Sequence, residues 1–158
     1  MDLDHHPELD RIDLRILRVL QEDARITHQK LAEQVHLSAS SVHERVKRLQ
    51  REGYILGYRA QLNPDKLGAA LLVFVEVLLD RTVHDVMDSF KAAVQARPEI
   101  LECHLVAGGF DYLLKTRVAD MAAYRHLLGS GIWTLPGVRE TRTYVVMEEV
   151  KCAPGVSL

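Results

Sequence analysis

Two stretches concentrate the side chains able to do chemistry. Residues 38–51, SASSVHERVKRLQR, place small hydroxyl residues ahead of a run of bases. On a helix, Ser38, Ser40 and Ser41 would approach base edges or donate to phosphates. Arg45, Lys47, Arg48 and Arg51 would neutralise phosphates, and an arginine can read guanine through paired hydrogen bonds. His43 and Glu44 share that segment, Thr27 and His28 open the preceding one, and Arg59 lies just beyond. The same pattern also describes a solvated helix with alternating charges. The second stretch, HLVAGGFDYLLKT at 104–116, sets Gly108-Gly109 between two β-like runs, with Asp111 directly after. A glycine pair supplies positive φ angles for a tight hairpin, which needs no ligand, with Asp111 as a turn cap. The same glycines expose backbone N–H groups able to hold an α-carboxylate, and Asp111 could then meet an α-ammonium.

Enzyme chemistry finds less support. Cys103 and His104 are adjacent, so on a strand they face opposite ways and form no nucleophile–base pair. The histidines, including His5-His6, His84, His104 and His126, show no metal-ligand spacing. No phosphate-cradling loop or nucleophile elbow occurs. Trp133 reads as core or interface rather than a base-stacking platform.

The net charge of −2 hides an asymmetry. Residues 25–60 hold Arg25, Lys30, Arg45, Lys47, Arg48, Arg51 and Arg59 against Glu33, Glu44 and Glu52. A basic patch on an otherwise acidic chain focuses binding to an anion. Two cysteines make no disulfide framework, and a cytoplasmic protein is expected. The acidic start MDLDHHPELD has no apolar core like that of a signal peptide. The longest apolar run, 67–79, carries Glu76 and is too short to span a bilayer.

The positioning elements follow from spacing. Residues 9–22 put Leu9, Ile12, Ile16, Val19 and Leu20 on one helix side. Thr27 caps a second helix to Gln34, and Ser38 caps a third over 39–52 that buries Val42, Val46 and Leu49 and ends at Gly53. Ala32 suits a close crossing of the two. Residues 54–62 suggest a small hairpin or extended arm turning at Gly57, and Asn63-Pro64 marks a boundary. Beyond it, a strand is expected at 69–80 and a helix at 83–96 with Val83, Val86, Met87, Phe90 and Val94 at helical spacing. Strands follow at 100–107 and 112–118. A helix capped by Asp120 and burying Met121, Tyr124 and Leu128 precedes a last strand at 138–150. The order βαββαβ is the split, ferredoxin-like motif. Because 71–79 is apolar on both faces, the face away from the helices needs cover, which a second copy of the chain would supply.

The segments LDRIDLRILRVLQEDARITHQKLAEQV and SASSVHERVKRLQREGYILGYRAQLNP resemble the Lrp/AsnC (feast/famine) family of bacterial transcription regulators. LLVFVEV, ECHLVAGGFDYLLKTRV, MAAYRHLL and LPGVRETRTYVVMEEVK continue the likeness over about residues 8–151. The resemblance implies an α+β fold. A winged helix-turn-helix domain would span 1–62, with its motif at 27–52, followed by a linker at 63–68. A ferredoxin-like βαββαβ domain of RAM or ACT type would span 69–151, and a tail 152–158. It implies a cytoplasmic, nucleoid-associated regulator of amino-acid metabolism genes that binds double-stranded DNA and no membrane. It would assemble into dimers and then tetramers or octamers. No cofactor or metal is implied; the ligand would be leucine or another apolar amino acid, held where dimers meet. Residues linked to leucine response in the family match Leu105, Asp111, Met121, Tyr144, Val145 and Val146. The expected site is therefore lined by Ala107, Gly108, Gly109, Phe110 and Asp111, with a wall from Thr141 to Val146. Three departures stand out: His36 where the turn usually has glycine, SASSV with His43 at the recognition helix, and Gly109 in place of a common acid. An architectural DNA protein without an effector, and an amino-acid sensor that regulates an enzyme, are the competing functions.

Overall fold

Asp10 starts the first helix. Its carboxylate accepts from the Asp13 amide (2.8 Å), and the Asp13 carboxylate accepts from the Asp10 amide (3.1 Å). This reciprocal cap satisfies donors that a helix start leaves without intrahelical partners. In the computed structural model, which describes residues 9–82, 84–153 and 155–158, α1 covers Arg11–Glu22, α2 His28–Val35 and α3 Ala39–Arg51. Thr27 and Ser38 cap α2 and α3, each side-chain oxygen accepting from the amide three residues on (3.3 and 3.2 Å). The expectations for Val83 and for the segment carrying His5-His6 lie outside the described residues.

Ile16, Leu17, Leu31, Ala32, Val35, Val42, Val46 and Leu49 form one core. A fully buried residue of this kind contributes about 2 kcal/mol. His36 ends α2 in the left-handed region (φ 58°, ψ 44°), a conformation that glycine adopts at little cost and histidine does not. The expected hairpin at 54–62 does not form. The Tyr54 and Ile55 amides both donate to the Leu49 carbonyl (2.9 and 3.1 Å), and both side chains pack on the helical core. Beyond them, residues 56–63 form no strand, and the extended-arm alternative describes them better.

The second half builds a four-stranded antiparallel sheet in the order β2-β3-β1-β4. Its elements are β1 Leu71–Leu79, α4 Val86–Gln95, β2 Ile100–Leu105, β3 Tyr112–Val118, α5 Met121–Leu127 and β4 Val138–Val145. Val73, Val75, Val77 and Leu79 face Val86, Phe90 and Val94 of α4, Tyr124 and Leu127 of α5, and then Ile132 and Leu135. Leu72, Phe74, Glu76 and Leu78 alternate onto the opposite face. Two expectations change at α5. A π-helical turn at Leu128–Ile132 follows it, and the Trp133 amide reaches the Leu128 carbonyl (2.9 Å). Leu127, three residues after Tyr124, is buried where Leu128 was expected, and Met121 at the helix start is 48% exposed. The last strand also ends at Val145, well short of 150.

The chain divides into two compact units: the residues up to Gln61 together with Cys152–Leu158, and Leu62–Lys151. The tail thus belongs with the helices. The Gln21 amide group exchanges hydrogen bonds with the Val156 backbone (3.1 and 2.9 Å), and Arg18 Nε donates to the Leu158 oxygen (3.0 Å).

Candidate functional site

In the first unit, burial of Val42, Val46 and Leu49 fixes which side of α3 faces solvent. Ser40, Glu44, Lys47 and Arg51 then form a stripe on the opposite side, at spacings of four and three residues, and all are exposed. At the helix start the Ser38 hydroxyl lies 3.0 Å from that of Ser40 and 2.8 Å from that of Ser41, so three hydroxyls cluster at an accessible N-terminus. Donors and a helix N-terminus gathered this way suit phosphate oxygens. Arg51 is 74% exposed and only loosely paired with Glu52 (3.5 Å). Arg59 is exposed in the segment after α3. Thr27 commits its hydroxyl to the cap of α2. His28 and His43 are half-buried and face one another, Nδ1 to Nδ1, at 3.2 Å.

Two of the expected phosphate-binding residues are placed otherwise. Arg45 Nη1 donates to Asp10 (2.7 Å) and to Asp13 (2.8 Å), and Arg48 pairs with Asp13 as well as Glu52 (3.8 Å). Asp13 is completely buried. A buried carboxylate is tolerated only when paired, and here both arginines are drawn back onto α1. The Asp13 and Asp10 carboxylates hold the Arg45 guanidinium above even its usual high pKa. Burial works against ionisation of Asp10, but the Asp13 amide and Arg45 outweigh it and hold its carboxyl below the usual range. The sequence did carry a signal for this clamp: Asp13 falls on the inward side of α1, three residues before Ile16.

In the second unit, the Gly108-Gly109 stretch joins β2 to β3. The Val106 amide closes the loop on the Asp111 carbonyl (3.0 Å). Neither glycine has the positive φ expected of it, and a Cβ on either would meet nothing within 4 Å. The loop spans enough residues to turn without left-handed backbone, so its turn does not require glycine at 109.

Asp111 also departs from expectation. It is 1% exposed; its carboxylate accepts from the Leu79 amide (2.8 Å) and from Arg81, whose Nε is 3.1 Å away. Burial opposes its ionisation, but Arg81 and the Leu79 amide more than offset that and lower its pKa. A carboxylate so engaged has no open side for an α-ammonium.

An open cleft of about 220 Å³ does lie beside this loop, lined by Glu76, Leu78, Gly109, Phe110, Glu140, Thr141 and Arg142. Strand register explains the set: Glu76 lies opposite Arg142 and Leu78 opposite Glu140, on the face away from the helices. Of the expected site residues, Gly109, Phe110 and Thr141 line it. Ala107 and Gly108 are exposed next to it. Tyr144 is one step along the same face, its hydroxyl donating to Glu76 (2.9 Å), which raises the tyrosine pKa. Val145 points to the other face, opposite Val73, so the expected wall divides between two surfaces. Val146 follows the end of β4, and Leu105 and Met121 are exposed elsewhere on the unit. Arg142 falls within the expected wall of 141–146, whereas Glu76, Leu78 and Glu140 were not foreseen.

Comparison with known proteins accounts for both units. Residues 9–55 match a winged helix-turn-helix DNA-binding domain, and residues 72–156 match the Lrp/AsnC ligand binding domain. Leucine-responsive regulatory proteins of Salmonella typhimurium and of Escherichia coli K12 are each 60% identical over 144 residues, covering 91% of this chain and 88% of theirs. A transcriptional regulator from Neisseria meningitidis, solved as a complex with L-methionine, superposes with a TM-score of 0.90 at 34% identity, over 94% of this chain and 96% of that one. The leucine response regulatory protein of Mycobacterium tuberculosis gives 0.79 at 34%, over 94% and 99%. With both domains present and this identity over nearly its whole length, the chain belongs to the Lrp/AsnC family.

Proposed function

We propose that this chain is a transcriptional regulator that grips double-stranded DNA with α3 and is modulated by a small apolar amino acid, leucine first. It is a DNA-binding regulator and not an enzyme. The observation that carries the DNA half is the unobstructed Ser40–Glu44–Lys47–Arg51 stripe beside the hydroxyl cluster of Ser38, Ser40 and Ser41. Its targets would be genes of amino-acid metabolism, reached in the cytoplasm on the nucleoid.

The cleft beside Phe110 supports the effector half. Arg142 can take an α-carboxylate, Glu76 or Glu140 an α-ammonium, and Leu78 and Phe110 supply apolar wall. In this reading Asp111 holds the loop and the two glutamates replace it as ammonium partner. The face carrying Leu72, Phe74, Leu78 and Leu113 supports pairing with a second copy, and dimers would then build tetramers or octamers. A ligand shifts such an equilibrium only by binding one assembly better, and the number of linked reading heads sets the avidity for DNA.

The test is a duplex-binding titration across genomic promoter fragments with leucine, methionine and other amino acids added singly. A changed affinity or footprint with an apolar amino acid is expected. Binding indifferent to every amino acid would leave an architectural protein instead, and no duplex binding would overturn the regulator itself.

A further inference from the structure

His28, the first residue of α2, and His43, in α3, meet ring to ring. Their Nδ1 atoms are 3.2 Å apart and their ring centres 5.0 Å, with the planes inclined by 57°. At that separation the two nitrogens share one hydrogen: one ring donates and the other accepts. Two bare nitrogens would oppose lone pairs, and two N–H groups would oppose hydrogens. The second nitrogen of each ring, Nε2, lies on the far edge of the imidazole and is turned away from the contact. In the neutral pair one Nε2 therefore carries a hydrogen and the other a lone pair.

We propose that His28 and His43 work as one proton-sharing pair within the DNA-reading surface. The first added proton keeps the contact and makes both Nε2 atoms donors with one net positive charge. The second added proton must break the contact, because both Nδ1 atoms then carry hydrogen. The proposal rests on the DNA-binding reading of α3. Lys30 and Glu33 on α2, and Glu44 and Lys47 on α3, are the other charged groups of the two helices near the pair in sequence. From α1, the acids that reach α3, Asp10 and Asp13, are taken by Arg45 and Arg48. The start of α2 disfavours positive charge at His28, whereas a DNA phosphate favours it. DNA binding therefore takes up a proton, and affinity must rise as pH falls.

Two readouts on the full-length protein test this. Imidazole titrations by NMR, in the free protein, should show the two rings responding together. In His28→Asn, His43 should titrate alone and differently, with the remaining histidines as internal references. Duplex affinity should rise several-fold from pH 8 to pH 6, with a salt slope steeper by about 0.9, and both gains should disappear in His28→Asn and in His43→Leu. An unaltered His43 titration in His28→Asn, or the same pH dependence of DNA binding in both variants as in the parent, would overturn the pair. Coupled titration without any duplex binding would instead overturn the regulator reading, and with it the pair's place in a DNA surface.

Discussion

Asp13 and Asp111 are the two buried carboxylates of the molecule among the described residues, one in each unit. Asp13 ties α1 to α3 through two arginines, and Asp111 ties the loop before β3 to the end of β1 through one arginine and one amide. They differ in what they consume. Asp13 takes two cations from the surface proposed to hold DNA, leaving α3 fewer free charges than its sequence suggests. Asp111 takes only Arg81 and does not line the cleft beside its loop, whose acids are Glu76 and Glu140. In both places a charge of functional type has become a structural fastener. Burial, rather than residue type, decides which charges stay available to a partner.

The largest effect is expected from stripping the first fastener. Arg45→Met with Arg48→Met leaves Asp13 buried and unpaired, which should cost about 4 kcal/mol of unfolding free energy by chemical denaturation. A loss no larger than that of an exposed substitution would break the comparison. Asp111→Ala strands the Leu79 amide and should cost about 2 kcal/mol, less than the first because Arg81 is largely exposed and returns to water. His36→Gly relieves left-handed backbone and should gain about 1 kcal/mol, part of the relief being offset by the greater freedom of glycine in the unfolded chain. Acid sharpens the contrast further. Asp10, Glu102 and Asp111 have pKa values below their ordinary ones in the folded state. The native protein therefore binds fewer protons than the unfolded chain, so their stabilisation is present above about pH 4 and is lost as pH falls below it. Denaturation midpoints measured from pH 6 down to pH 3 should be flat at first and then decline.

Much of this architecture could be read from periodicity and caps. Ile16, Leu31, Val42 and Leu49 sit where their spacing puts them, and Thr27, Ser38 and Asp120 each start a helix through the side-chain bond expected of them. The nearly unbroken apolar run of β1, where a half-exposed strand would alternate, foretold a sheet with two apolar faces. What escaped depends on contacts distant in sequence. Nothing local to α3 says that α1 presents Asp13 to Arg45 and Arg48, although both arginines flank the buried stripe while Lys47 and Arg51 oppose it. Leu127 is buried where Leu128 was expected; both lie on the Tyr124 side of α5, three and four residues on, and spacing alone does not choose between them. The cleft was half legible: its loop and the 141–146 wall were found, but Glu76, Leu78 and Glu140 join it through the β1–β4 register, which single-strand patterns leave open.

The central claim is that DNA is held by the outward stripe of α3 and not by its inward arginines. Salt dependence of duplex binding tests it most directly. Lys47→Ala with Arg51→Ala should flatten the slope of log affinity against log salt by about 1.8, the value for two phosphate contacts, while Arg48→Ala, in protein verified as folded, leaves the slope unchanged. A slope that survives loss of Lys47 and Arg51 but flattens with Arg48 would contradict the account.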